Sequence, residues 1–319
     1  MDMYQKRKMR QEKNAKKCEE QELNNKMNIN WYPGHMAKTK RKIIEELRLI
    51  DIVVELVDAR IPIASRNPDM AEITKNKKRV IALNKSDLAD ENESKKWVDY
   101  FKKQGISAVI TDSNTGKGVQ NVIKEIENLM SEELTKMSGK GRIGKSIRIM
   151  VLGIPNVGKS SFINRIAGKS SLIVGNKPGV TRAKQWIRVN DKIELLDTPG
   201  VLWPKFESEE VALNLAYTGS IKDDVLEKVE VAYQLLKYLL ENYREKLEKR
   251  YGLYSENINQ ILMQEQPENF NIYEIMQLIG KKRGAIVSGG NVDDEKVANI
   301  ILDDFRSGRI GKITLEKVK

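Results

Sequence analysis

The 319 residues are 40% hydrophobic and 32% charged; no apolar run approaches the about 18 residues of a bilayer span, and a wholly disordered chain is excluded too. Lys and Arg number 56 against 45 Asp and Glu, a net charge of +11, which makes a polyanion the first partner to consider. The single cysteine, Cys18, excludes an intrachain disulfide and a thiolate metal cluster, so a reducing, cytoplasmic setting is expected.

Residues 1–26 mix Lys and Arg with Glu and Gln and lack the apolar core of a secretory signal, so they read as a basic arm. From residue 51 apolar runs alternate with helical stretches, the pattern of a sheet covered by crossover helices. Strands are predicted at Ile52 to Val57, Arg79 to Leu83, Ala108 to Thr111, Ile147 to Gly153, Gln185 to Val189 and Lys192 to Leu196. Helices are predicted at Lys95 to Lys103, Gly118 to Met137 and Lys159 to Ala167, with 138–145 as a surface linker. Beyond Trp203 the strand signals stop. Val211 to Tyr217, Val225 to Tyr251, Ile272 to Ile279 and Asp293 to Phe305 all read as helices. Three segments result: the arm at 1–26, a sheet-based domain at 27–204 and a helical domain at 205–319.

Gly153-Ile154-Pro155-Asn156-Val157-Gly158-Lys159-Ser160 matches the phosphate-binding loop pattern, with a predicted strand before it and a helix after it. In that context Val157, Gly158, Lys159, Ser160 and Ser161 offer backbone N–H groups and a helix N-terminus to one anion. Lys159 reaches the β and γ phosphates, and the Ser160 hydroxyl ligates Mg2+. A second match, Gly139 to Ser146, precedes a strand and so reads as a linker. Asn84-Lys85-Ser86-Asp87 lies at a strand end, where the Asp87 carboxylate accepts both N1–H and N2–H2 of guanine. A site built for that pairing discriminates by about 10⁴ to 10⁵-fold, since the wrong base leaves the carboxylate unpaired. Asp197-Thr198-Pro199-Gly200 follows another strand and supplies a metal-facing carboxylate at Asp197 and a γ-phosphate-facing N–H at Gly200.

These motifs resemble those of translation-factor-class GTPases, but their order is shuffled: Asn84 to Asp87 precede the phosphate loop, which precedes Asp197 to Gly200. With Trp31-Tyr32-Pro33-Gly34-His35-Met36, Asp58-Ala59-Arg60-Ile61-Pro62 and the run Gly308 to Glu316, the chain resembles the ribosome biogenesis GTPase A family of bacterial large-subunit assembly factors. The resemblance covers nearly everything from Asn28 onward. It implies an α/β class: a circularly permuted P-loop GTPase domain, with a mixed, mostly parallel sheet and helices on both faces, plus a C-terminal all-α domain.

It also implies that Thr181 is a second protein ligand to Mg2+, that Asp112 and Ser113 close the guanine pocket, and that Asn156 helps hold K+ at the phosphates. The glutamine that orients water in Ras-like enzymes is replaced by Val201, so slow turnover and completion of the site by a partner are expected. His35, the only histidine, stands in a short Pro-Gly turn and is the candidate to position that water. Arg60 and Arg182 are weaker candidates for phosphate or RNA contact. Lys281, Lys282, Arg283, Arg306, Arg309, Lys312 and Lys317 suit the phosphates and 2′-OH groups of structured RNA. The expectation is a monomer that binds GTP and GDP, the large (50S) ribosomal subunit and its rRNA, and no membrane. The alternative is a GTP-dependent binding module or guanine-nucleotide sensor with little hydrolysis; stimulation of turnover by large subunits separates the two.

Overall fold

The computed structural model describes residues 34–132, 135, 146–168, 186–197, 208–264 and 268–318. Helix α1 (Gly34–Leu47) leads into β1 (Ile52–Asp58), α2 (Pro68–Ile73), β2 (Lys78–Asn84), α3 (Glu91–Lys103), β3 (Ser107–Ile110) and α4 (Val119–Leu129). Then come β4 (Ile147–Gly153), α5 (Lys159–Ala167), β5 (Trp186–Arg188) and β6 (Ile193–Asp197). The six strands form one sheet in the order β3-β2-β1-β4-β6-β5, parallel throughout except for the antiparallel edge strand β5.

All seven residues of β1 are buried, because a central parallel strand is covered on both faces. Its side chains alternate accordingly. Ile52, Val54 and Leu56 pack with Val122 and Ile126 of α4 and Phe162 of α5, whereas Val53 joins Ile43 and Leu47 of α1 and Val57 joins Trp97 and Phe101 of α3. Glu55 breaks the apolar run on the second face, and Arg66 neutralises it through two 3.0 Å bonds.

The described residues from 208 to 306 are mainly helical: α6 (Glu209–Tyr217), α7 (Lys228–Asn242), α8 (Arg244–Tyr251), α9 (Ser255–Leu262), α10 (Glu268–Lys282) and α11 (Asp294–Arg306). Leu215, Leu235, Ile275 and Ile301 of these helices share one continuous apolar cluster with the sheet residues that face α4 and α5. The expected single helix from Val225 to Tyr251 is interrupted. A 3-10 turn, Asp223–Val225, precedes α7, and Tyr243 (φ −142°, ψ 33°) separates α7 from α8. That break directs the Tyr243 hydroxyl at the main chain of Thr314, donating to its carbonyl at 2.8 Å and accepting from its N–H at 3.2 Å.

Residues 307–318 do not continue α11. They return along the sheet domain, where the Ile313 N–H donates to Leu88 O and the Leu315 N–H to Arg60 O, both at 2.9 Å. Asp90 N–H donates to the Thr314 hydroxyl, and the Trp97 indole to Glu316 O, again at 2.9 Å. On the helical side Tyr238 donates its hydroxyl to Leu315 O at 2.8 Å. The terminal segment is therefore a strap fastened to both parts of the molecule. Gly308 (φ 73°) starts it, where a Cβ would stand 2.7 Å from Leu88 Cδ2.

Candidate nucleotide-binding site

The site forms at the carboxyl ends of β2, β4 and β6, the edge where open α/β sheets bind ligands. Strand β4 ends at Gly153 and α5 begins at Lys159, with Gly158 at the N-cap in the left-handed region (φ 95°), a residue with no side chain to cap the first N–H groups. An uncapped helix start preceded by a tight loop presents those N–H groups and the positive end of the helix dipole to an anion. Lys159 is buried beside them, and Ser160 occupies the next position of the first turn. Asp197 closes β6 in register with Val151, two residues before the loop begins.

Asn84 ties the site together. Its carboxamide is fully enclosed. The Nδ2 group donates to Val157 O in the phosphate loop at 2.8 Å. Its Oδ1 accepts from the Ser113 N–H at 3.0 Å and the Ser113 hydroxyl at 2.7 Å. One side chain thus joins three segments distant in sequence. Gly158 leaves the room for it, because a Cβ there would stand 2.4 Å from Asn84 Nδ2.

Lys85 takes a left-handed backbone (φ 58°), a conformation that costs a side-chain-bearing residue energy and so marks a constrained turn. Asp87 follows, exposed at the surface, and its carboxyl is held above the usual range by partial desolvation and by the neighbouring charge of Asp112. Asp112 is itself buried, which would raise it, yet hydrogen bonds from Thr115 and Asn114 bring it below the ordinary value. Its carboxylate accepts from the N–H of Asn114 at 2.8 Å and the Thr115 hydroxyl at 2.5 Å, so Asp112 shapes the loop at 112–115 while Ser113 turns toward Asn84.

A family model described as a 50S ribosome-binding GTPase matches residues 148–266. A ribosome biogenesis GTPase A of Priestia megaterium is 47% identical over 291 residues, covering 91% of this chain and 97% of that one. The Thermotoga maritima protein of the same name is 30% identical over 91% of this chain and 94% of its own length. The chain belongs to the ribosome biogenesis GTPase A family. Among solved structures, GDP-bound YlqF of Thermotoga maritima superposes with a TM-score of 0.61 at 27% identity, covering 87% of this chain and 99% of that one. The GNP-bound form gives 0.60 at 28%, covering 88% and 98%.

As a member of this family the chain is a circularly permuted P-loop GTPase, with strand β2, which ends at the Asn84 of Asn84-Lys85-Ser86-Asp87, ahead of β4, which leads into the Gly153 to Ser160 loop. Thr181, Arg182, Gly200 and Val201 lie outside the described residues, as does the linker at 138–145. His35 is placed differently from expectation: it belongs to the first turn of α1, because the chain after Pro33 begins the helix at once. Its side chain lies outside the described part. Asn156, also left-handed (φ 60°), donates its side-chain amide to Gly219 O at 2.6 Å, which links the phosphate loop to the segment after α6.

Two expected cationic contacts are corrected. Arg60 is 1% exposed, and its guanidinium grips Asp58 at 2.9 and 2.8 Å, so it reaches neither phosphate nor RNA. Arg306 is spent on Asp223, at 2.9 and 2.8 Å, and on the carbonyls of Ala216 and Tyr217, so it fastens α11 to the end of α6. Arg309 pairs with Asp304 at 2.8 Å but keeps 52% of its side chain exposed, so it stays open to further contact.

Sequence reasoning missed the role of Glu316, whose carboxylate accepts from the N–H groups of Ile63 at 2.6 Å and Ala64 at 2.9 Å. Burial raises that carboxyl to about 7 despite those bonds, with the charge of Glu210 adding to the rise. Nothing in local sequence pattern announces a contact across some 250 residues.

Proposed function

We propose that this GTPase acts in assembly of the large ribosomal subunit, binding rRNA of the immature particle in the GTP state and leaving once GTP is hydrolysed. The observation that carries the nucleotide half is the Asn84 side chain, which joins the phosphate loop to the loop that would close over guanine. The ribosomal half rests on the relatives' names together with a net charge of +11.

In this reading Asp87 accepts the paired guanine donors, and the N-terminus of α5 with Lys159 receives the phosphates. Ser160, Asp197 and Thr181 would supply the few protein oxygens that a nucleotide-bound Mg2+ takes. The metal, when bound, neutralises charge on the β and γ phosphate oxygens. Gly200 donates its N–H to the γ-phosphate. A K+ beside Asn156 would use the amide oxygen, since the nitrogen is engaged by Gly219. His35 positions the attacking water. With Val201 where Ras-like enzymes carry glutamine, turnover alone is slow, on the order of 10⁻³ s⁻¹ or less. No helix of the described residues is long and apolar enough to cross a membrane, and the place of action is the cytoplasm.

Phosphate release with and without large ribosomal subunits tests the reading. Subunits are expected to raise turnover in wild type and much less in His35→Ala. A basal rate indifferent to subunits, with subunit binding equal in GTP and GDP, removes the assembly role. A fully stimulated rate in His35→Ala removes His35 from the mechanism.

A further inference from the structure

Asp58 ends β1 beside the base-recognition segment, and the GTP reading leaves it without a role. It is 1% exposed, as is Arg60. Its carboxylate accepts from the Arg60 N–H at 3.0 Å and from two guanidinium nitrogens, while its own N–H donates to the Ser65 hydroxyl at 3.0 Å. The group is thus fixed in position from several directions. The remaining interaction of Oδ2 is with the Lys85 ammonium at 3.2 Å.

Arg60 is held as firmly. It lies over the Phe305 ring at 5.1 Å, its carbonyl accepts from Leu315, and its Nη1 has no hydrogen-bond partner among the described residues. One carboxylate therefore serves two cations, of which Arg60 alone would satisfy its charge. The second pairing orders a side chain that is otherwise among the most flexible in proteins. Lys85 stands between Asn84, which is buried, and Asp87, which is exposed and would meet the base. With its backbone set by φ 58° and its ammonium tethered, the four-carbon stem is held at both ends. An aliphatic stem held at both ends offers apolar surface to a flat ring.

We propose that Asp58 is a positioning residue for guanine recognition: it holds the Lys85 ammonium so that the lysine stem is already laid out as a surface for the purine before nucleotide arrives. This rests on the GTP reading of the site. The gain is preorganisation, since a rotamer-rich side chain ordered in advance need not be ordered on binding. Releasing one such side chain weakens binding by about 3- to 10-fold.

The test is GDP affinity of the full chain with Asp58→Asn, Lys85→Met and the double variant, alongside competition by inorganic tripolyphosphate. Asp58→Asn is expected to weaken GDP about 3- to 10-fold, Lys85→Met to do at least as much, and the double variant to be no weaker than Lys85→Met. Tripolyphosphate, which engages only the phosphate loop, competes as in wild type. Independent, multiplying losses in the double variant, or an equal loss for tripolyphosphate, assign Asp58 to the fold and overturn the proposal. So does an unchanged GDP affinity. Should Asp58→Asn fail to fold, Asp58→Asn with Arg60→Met removes both buried charges together, an exchange such pairs often tolerate, and is read by the same criteria. Wild type is first compared with GDP and ADP: absence of a guanine preference there defeats the nucleotide reading itself, whereas a preference with an unaffected Asp58 variant defeats only the positioning role.

Discussion

Replacing Asn84 by Ala removes the link that joins the phosphate loop to the base-side loop. The carboxamide makes good bonds to Val157 O, the Ser113 N–H and the Ser113 hydroxyl, and a longer one, 3.4 Å, to the Thr111 hydroxyl. Hydroxyls rotate to other acceptors, but the two main-chain groups are left buried and unpaired at about 1–3 kcal/mol each. A destabilisation of about 2–6 kcal/mol follows, read as a lower urea midpoint at unchanged slope. Nucleotide affinity falls as well. Base and phosphates bind cooperatively because their subsites are held at a fixed separation, and loosening one against the other lowers the effective concentration of the second contact. GDP binding is expected to weaken by at least about 100-fold, or about 2.7 kcal/mol. Titration calorimetry at a temperature where the variant is fully folded gives the number. A variant that unfolds at the wild-type urea midpoint and binds GDP within about 2-fold of wild type would refute the reasoning.

Asp87→Asn should exchange guanine for xanthine preference, seen as weaker GDP and stronger XDP binding in one competition series; an unaltered preference counts against Asp87 as the base reader. Gly158→Ala places a Cβ 2.4 Å from Asn84 Nδ2 at a left-handed residue, so about 2 kcal/mol or more of stability and most of the nucleotide binding should be lost. A variant with wild-type melting and affinity would show that the loop relaxes freely. Glu316 has a folded value raised from 4.5 to about 7, so between those limits the folded state holds a proton that the unfolded state has released. Its contribution therefore makes stability fall as pH rises from about 4.5 to about 7, by roughly 3 kcal/mol in total, and then level off. In Glu316→Gln that slope should be missing from urea midpoints measured across the window; parallel curves for the two proteins would assign the pH dependence elsewhere.

The central strands were legible because burial on both faces demands uninterrupted apolar residues, and Ile147 to Gly153 was read to the residue. Short or weakly patterned helices were not. In α1 only Ile43, Glu46 and Leu47 of the described side chains are buried amid Lys and Arg, and α9 buries only Ile258. Neither supplies the repeated apolar spacing that pattern reading requires. The convergence of Asn84 and Ser113 with the phosphate loop follows from motifs whose spacing serves one ligand. Arg60 and Arg306 read as free cations because a basic side chain looks the same in sequence whether it meets solvent or a buried carboxylate. Their partners Asp58 and Asp223 become apparent only when the chain has folded, for Arg306 across 83 residues.

The strap has a consequence for synthesis. Leu88 and Asp90, directly after the base-reading motif, and Arg60, Ile63 and Ala64 wait for partners at 313–316 that the translating ribosome makes last of all the described elements. A nascent chain with its sheet already assembled still lacks these bonds until the helical part has emerged and docked. Guanine selectivity should accordingly mature late, once 313–316 have been made and docked, and a protease that cuts just ahead of them would act on a nucleotide pocket it never touches.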